Sequence, residues 1–118
     1  MAMRLSSTYS IAASGVQAAS IQLRASAHNT ANAQTPDYAP TRALTRSARE
    51  GVYVHLQKNT EGGTLALPDD VENPMPKSGS DAVQETLNNR MAAAAYKANL
   101  RVLESAMDLT GVVIELKK

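Results

Sequence analysis

Asn29-Thr30-Ala31-Asn32-Ala33-Gln34-Thr35-Pro36-Asp37-Tyr38 decides how the chain is divided. Everything before it reads as one helix and nothing after it continues that helix. Pro36 and, shortly after, Pro40 each lack a backbone donor and push the preceding residue out of the α region, so a helix arriving from upstream stops near Asn32. Upstream, residues 5–33 hold no proline and one glycine, Gly15. Leu5, Tyr9, Ala12, Val16, Ala19, Leu23 and Ala27 recur at gaps of three and four, which predicts one face of a long amphipathic helix. Gln17, Gln22 and Ser26 fall off that face.

Downstream, residues 34–80 collect all five prolines and most of the glycines. Val52-Tyr53-Val54-His55-Leu56 alternates with period two, and Lys58 to Gly63 has turn chemistry. Thr64-Leu65-Ala66-Leu67 is then expected to return as the second strand of a hairpin. Pro68 to Ser80 reads as an extended loop. From residue 81 to 117 proline is absent again, which predicts a second long helix. Ser80 or Asp81 is placed to cap it, and Gln84 stands where the capping-box partner of Asp81 would stand. This helix carries two apolar stripes. One runs Tyr96, Leu100, Leu103, Met107, Thr110, Ile114, and the other Ala95, Val102, Ala106, Leu109, Val113, Leu116. The expected fold is mainly α: long N- and C-terminal helices packed as an antiparallel, coiled-coil-like pair, with a small β-hairpin and a loop between them.

The composition makes such a pair a thin structure. The 118 residues include no Phe and no Trp, four Tyr are the only aromatics, and much of the 43% hydrophobic content is alanine. Apolar burial stabilises by roughly 25 cal/mol per Å², and a short chain buries a smaller fraction of its surface than a long one. A helix with two stripes, in a chain with so little bulk, is expected to be covered on its second side by further copies. The net charge of +1 argues against a general nucleic-acid or membrane-surface binder. Absence of cysteine excludes disulfides and thiolate metal sites. No stretch approaches the ~18 apolar residues of a membrane span. The start, Met1 to Ser7, is followed by no apolar run of the kind found in a cleaved secretory signal.

Three runs resemble one family. Asn29 to Tyr38 resembles the Asn-x-Ala-Asn-Ala-x-Thr-Pro-Gly-Tyr signature that closes the first helix of flagellar basal-body rod and hook proteins. Ala13-Ser14-Gly15-Val16-Gln17-Ala18 is similar to the Ser-Gly-Leu-x-Ala run upstream of it. Tyr96-Lys97-Ala98-Asn99-Leu100-Arg101-Val102-Leu103-Glu104-Ser105-Ala106 is similar to the Tyr-x-Ala-Asn-x-x-Val-x-x-Thr-Ala helix at the other end. The likeness covers roughly residues 5–46 and 81–116. Asp37 replaces the usual glycine and Ser105 a frequent threonine. The middle segment is far shorter than in hook or distal rod proteins, so the resemblance is greatest to the small proximal rod proteins. It implies a subunit exported unfolded through the flagellar type III apparatus without a cleaved signal. Such a subunit joins copies of itself and other rod proteins in the periplasmic part of the basal body, where the rod transmits torque for motility. It also implies no cofactor, and free subunits that are disordered at both ends.

The remaining chemistry-bearing residues form no catalytic or metal pattern. His28 and His55 lie in different segments without adjacent carboxylates. Asp69, Asp70 and Glu72 sit in a proline-rich loop that matches no phosphate or calcium template. Arg42, Arg46 and Arg49, spaced by four and three, would share one side of a helical continuation and suit solvent exposure or inter-subunit ion pairs better than nucleic acid. The expectation is therefore a non-enzymatic, self-assembling axial subunit. Its assembly contacts are expected at Asn29, Asn32, Pro36 and Tyr38 of the turn and at Tyr96, Leu100, Leu103, Met107 and Ile114 of the helical seam. Asn29 and Asn32 have two uses open to them: capping the helix end, or bonding a neighbouring subunit. The competing expectation is a rod-like helical module that does not polymerise and serves as an adaptor or regulator at the export gate.

Overall fold

The computed structural model describes residues 2–60 and 78–115, with side-chain detail over residues 4–60 and 78–111. Two long helices, α1 (Ala2–Ala31) and α2 (Ala82–Glu115), bracket a hairpin of β1 (Thr41–Ala48) and β2 (Gly51–Lys58). At 1.5 Å per residue the helices are about 45 and 51 Å long. They pack against each other antiparallel, as two contacts fix: Ser26 meets Glu85, and Gly15 meets Asn99. The expected 5–33 starts and stops within a turn of α1, and the expected 81–117 starts within a residue of α2, its last two residues lying outside those described. No described helix is long and apolar enough to cross a membrane.

The residues that fill the interface are small. Apart from Pro40, every buried apolar side chain among the described residues is an alanine: Ala12, Ala18, Ala19, Ala92 and Ala106. On α1 the contact line runs Ala12, Gly15, Ala19, Gln22, Ser26, Asn29, and on α2 it runs Glu85, Asn88, Ala92, Ala95, Asn99, Leu103, Ala106. Steps of three and four keep both lines on one face, as in a coiled coil. This line corrects the expected α1 face, because Tyr9, Leu23 and Ala27 are exposed whereas Ser26 is buried. The physical reason is distance. At Gly15 an added Cβ would lie 2.6 Å from Asn99 Cγ, so the backbones are too close there for large side chains. Bulky residues are forced to the flanks.

The hairpin also departs from expectation. Val52 to Leu56 is a strand, but its antiparallel partner is β1 upstream, in the register Leu44↔His55 and Arg46↔Tyr53. The expected partner at Thr64–Leu67, and the loop from Pro68 up to residue 77, lie outside the described residues. Arg42 and Arg46 are on β1 and Arg49 is in the turn, so the expected helical continuation is replaced by a strand. Spacing of four fits either element, since residues four apart share a face of a strand as well as of a helix. The two-residue loop Arg49-Glu50 needs no positive φ; Gly51 takes it instead, at 139°. Gly51 sits directly on α1, where a Cβ would run into Ser14 Oγ, and that same oxygen accepts from Val52 N at 3.0 Å. Among the described residues the hairpin packs on α1 and not on α2, which leaves a groove of about 560 Å³ between β1 and the first half of α2.

Candidate assembly interface

Four segments meet where α1 ends, and their polar groups are matched one to one. Asn29 is 2% exposed. Its Nδ2 donates to Thr41 O at 2.8 Å and to Glu85 Oε1 at 3.0 Å. Its Oδ1 accepts from Thr41 N at 2.9 Å and from the Tyr38 hydroxyl at 3.0 Å. All four hydrogen-bonding positions of the amide are thereby used. Ser26, also buried, donates to Glu85 Oε2 at 2.6 Å, the short distance of a bond to a charged acceptor. Ser80 and Ser78 donate at 2.9 Å to the backbone oxygens of Asn29 and Asn32, which the end of α1 leaves without helical partners. One small cluster thus ties the end of α1 to the start of β1, the connection before α2, and the first turn of α2.

The turn is built on Thr35-Pro36-Asp37-Tyr38, with Tyr38 N donating to Thr35 O at 3.3 Å. Pro36 supplies the fixed negative φ at the second position, and Asp37 takes the positive φ, 58°, that a type II arrangement requires at the third. Asp37 therefore does what a glycine would do there. Tyr38 folds back so that its hydroxyl reaches Asn29. His28 Nδ1 lies 2.7 Å from the same hydroxyl. Which of the two groups donates in that contact follows from the tautomer of the imidazole. Burial, followed by the charge of Glu85, raises the Tyr38 pKa above its ordinary 10.0. Asn32 caps locally, with Nδ2 donating to His28 O at 2.9 Å. Asp81 caps α2, accepting from Val83 N at 2.9 Å. Gln84 does not complete a capping box but donates to Asn88.

Of the residues expected to mediate assembly, those of the turn are engaged inside the chain. Asn29 is buried in the cluster, Asn32 caps α1, Tyr38 is half-buried, and only Pro36 is exposed. The seam residues divide. Leu103 is half-buried on the α1 contact line, while Tyr96, Leu100 and Met107 are exposed at 37%, 39% and 55%. The side chain of Ile114 lies outside those described. The offset stripe behaves alike: Ala106 is buried, Ala95 half-buried, and Val102 and Leu109 exposed. The contact line therefore runs between the two stripes, leaving a bulky apolar flank on each side of α2, one with Tyr96, Leu100 and Met107, the other with Leu87, Met91, Val102 and Leu109.

Ser26 and Glu85 are the functional positions the sequence reading missed. Ser26 falls off the expected face of the first helix, and Glu85 draws no attention in the sequence because a carboxylate near a helix start is ordinarily solvated. Ser26 alone carries a positional signal: with Gln22 and Asn29 it continues the three-and-four spacing of Ala12, Gly15 and Ala19. Among the described residues no three His, Asp or Glu side chains gather as a metal site would require. The chain matches no protein-family model and no curated protein.

Proposed function

We propose that this chain is a structural subunit of the bacterial flagellar basal-body rod, of the small proximal kind, and that it polymerises through its two terminal helices into the axial drive shaft without catalysing any reaction. The observation that supports this best is the inverted packing of the helix pair. Alanines are inside, while Tyr9, Ile11 and Leu23 of α1 and both flanks of α2 are outside. A contiguous exposed apolar surface marks an interaction site, and here it runs along both sides of a helix roughly 50 Å long. The likeness of Asn29–Tyr38 and Tyr96–Ala106 to rod-protein motifs supplies the identity of the assembly. In this reading the polar cluster sets the angle between hairpin and helices, and the apolar flanks meet neighbouring copies and other rod proteins. Export through the type III apparatus precedes assembly in the periplasm.

The test is to purify detergent-extracted hook–basal bodies from the native cells and probe them for the chain. The expected result is its presence at an abundance comparable with known rod subunits. Absence from the particles, with the protein retained in the cytoplasm, would replace the reading with that of a non-polymerising adaptor.

A further inference from the structure

The charges of α2 follow an order that the helix itself does not use. Apart from the buried Glu85, every charged residue of the helix belongs to one set: Arg90, Lys97, Arg101, Glu104, Asp108 and Glu115. The three cations come first and the three carboxylates last. The set is also symmetric in position. Lys97 and Asp108 stand equally far from the midpoint between Val102 and Leu103, as do Arg101 and Glu104, and Arg90 and Glu115. Arg90, Lys97, Arg101, Glu104 and Asp108 are all exposed. Each stands two residues from a member of the α1 contact line (Asn88, Ala95, Asn99 or Ala106), and two residues are about 200° of helix. The stripe therefore runs down the side of α2 that faces away from α1.

Within one chain this order is unfavourable. Lys97 and Arg101 are like charges four apart, and so are Glu104 and Asp108, a spacing at which they repel. Cations toward the N-terminus and carboxylates toward the C-terminus run against the helix dipole. They also reverse the favoured order of a helical pair, in which Glu precedes Lys. The five exposed groups have no ion-pair partner among the described residues. Beside the stripe, Leu100 lies three residues from Lys97 and four from Glu104, with Tyr96 and Met107 along the same flank, and all three apolar side chains are exposed. The hairpin does not cover that flank, since the groove beneath it is bordered by Gln84, Asn88 and Met91 of α2 and by none of these three.

We propose that α2 pairs antiparallel with α2 of a second copy of this chain, about a two-fold axis beside the midpoint between Val102 and Leu103. Turning a copy end for end about that point sets its Asp108 beside Lys97 and its Glu104 beside Arg101, and symmetry makes each pair twice. Met107 of the second copy comes level with the gap between Tyr96 and Leu100, so the apolar side chains of the two helices interdigitate. Exposed ion pairs contribute little each. The apolar seam supplies the affinity, and the charges fix polarity and register. A parallel pair would set Lys97 against Lys97 and Glu104 against Glu104. The contact is isologous and closes as a dimer. It cannot extend along a filament whose subunits all point one way, so it belongs to the free chain and opens before assembly. The inference goes beyond the rod reading and does not depend on it, because a chain that never polymerises would pair in the same way.

Equilibrium sedimentation of the purified chain over the micromolar to millimolar range measures the pairing, and a monomer–dimer equilibrium is expected. Lys97→Glu/Arg101→Glu makes the stripe acidic, and Glu104→Lys/Asp108→Lys makes it basic. Each alone should raise the dissociation constant roughly tenfold or more. Mixed in equal amounts, the two variants should recover a heterodimer about as tight as the parent's dimer. Polarity is read by oxidising a mixture of Tyr96→Cys and Met107→Cys chains, which the absence of native cysteine allows. Disulfides between the two kinds of chain should outnumber those between like chains. Circular dichroism of each variant separates lost contact from lost fold. A variant with reduced helicity is replaced by Lys97→Gln/Arg101→Gln or Glu104→Gln/Asp108→Gln, which should still weaken the dimer. A monomeric parent, reversals that dimerise like the parent, a mixture that stays monomeric, or cross-links confined to like chains would each overturn the pairing. The presence of the chain in basal bodies, measured separately, bears on the rod reading alone.

Discussion

Asn29 and Glu85, 56 positions apart in sequence, are joined by a 3.0 Å hydrogen bond in which the buried amide meets a buried carboxylate. This bond closes the loop between the two helices at its base. The same amide holds Thr41 through both its backbone groups, so one side chain positions α2 and β1 together.

Asn29→Ala is therefore expected to be among the most damaging single changes. It removes the partner of Glu85 Oε1 and of both backbone groups of the half-buried Thr41 at the edge of the groove between β1 and α2. Leaving buried polar groups unpaired costs about 1–3 kcal/mol each, so a total loss of roughly 3 kcal/mol or more is expected on the same grounds. Urea unfolding followed by helicity would measure it. A loss below that of an ordinary surface substitution would mean that water reaches the cluster.

Gly15 and Asn99 give a prediction whose sign reverses with background. Alanine for glycine inside a helix ordinarily stabilises by about 1 kcal/mol. Here the new Cβ would sit 2.6 Å from the Asn99 side chain, which is held by its own bond to Ala95 O at 2.9 Å. Gly15→Ala alone should destabilise. Once Asn99→Ala has removed the obstructing atoms, the same change should stabilise by up to ~1 kcal/mol. A double-mutant cycle measures this coupling, and strict additivity would mean that the helices are farther apart at this crossing.

Much of this architecture was legible in the sequence, because prolines at 36, 40, 68, 74 and 76 punctuate it and the helices between are long and periodic. Which face of α1 turns inward was not, because bulk and burial point in opposite directions here. Periodicity weighted toward large residues selected Tyr9 and Leu23, whereas close approach selects Gly15, Ala18 and Ala19. The first strand escaped for a related reason. Thr41, Ala43, Thr45 and Ser47 form a weakly apolar inner face, and the four-residue arginine spacing fits helix and strand equally. Glu85 could not be placed from sequence, since its partners come from 56 and 59 residues away.

The cluster should also impose an alkaline limit on stability. Burial and the Glu85 charge raise the Tyr38 pKa in the folded chain above its ordinary 10.0. The unfolded chain therefore ionises first as pH rises. The stabilisation is complete below pH 10 and is lost between there and the higher folded value. Tyr38→Phe should weaken the fold at neutral pH by about 1 kcal/mol, the usual net worth of a hydrogen bond. It should also flatten the decline above pH 10 relative to the parent. Equal alkaline slopes in the two proteins would assign the decline to another group.

The final prediction separates the helix pair from the assembly it builds. Leu103 and Met107 are one turn apart on α2, but Leu103 is half-buried on the α1 contact line and Met107 is 55% exposed on a flank. A carboxylate at 107 meets solvent in the free chain, so Met107→Asp should shift monomer stability by no more than about 0.5 kcal/mol, as surface changes do. The same carboxylate would be buried without a partner in an apolar interface between copies, and incorporation into rods should fall sharply. Leu103→Asp should impair both properties, because it forces a charge between α1 and α2 before any neighbour arrives. Complementation of motility, read beside the helicity of each purified variant, distinguishes the two. Normal motility with Met107→Asp would remove that flank from the interface and leave the Leu87, Met91, Val102 and Leu109 side of α2 to carry it.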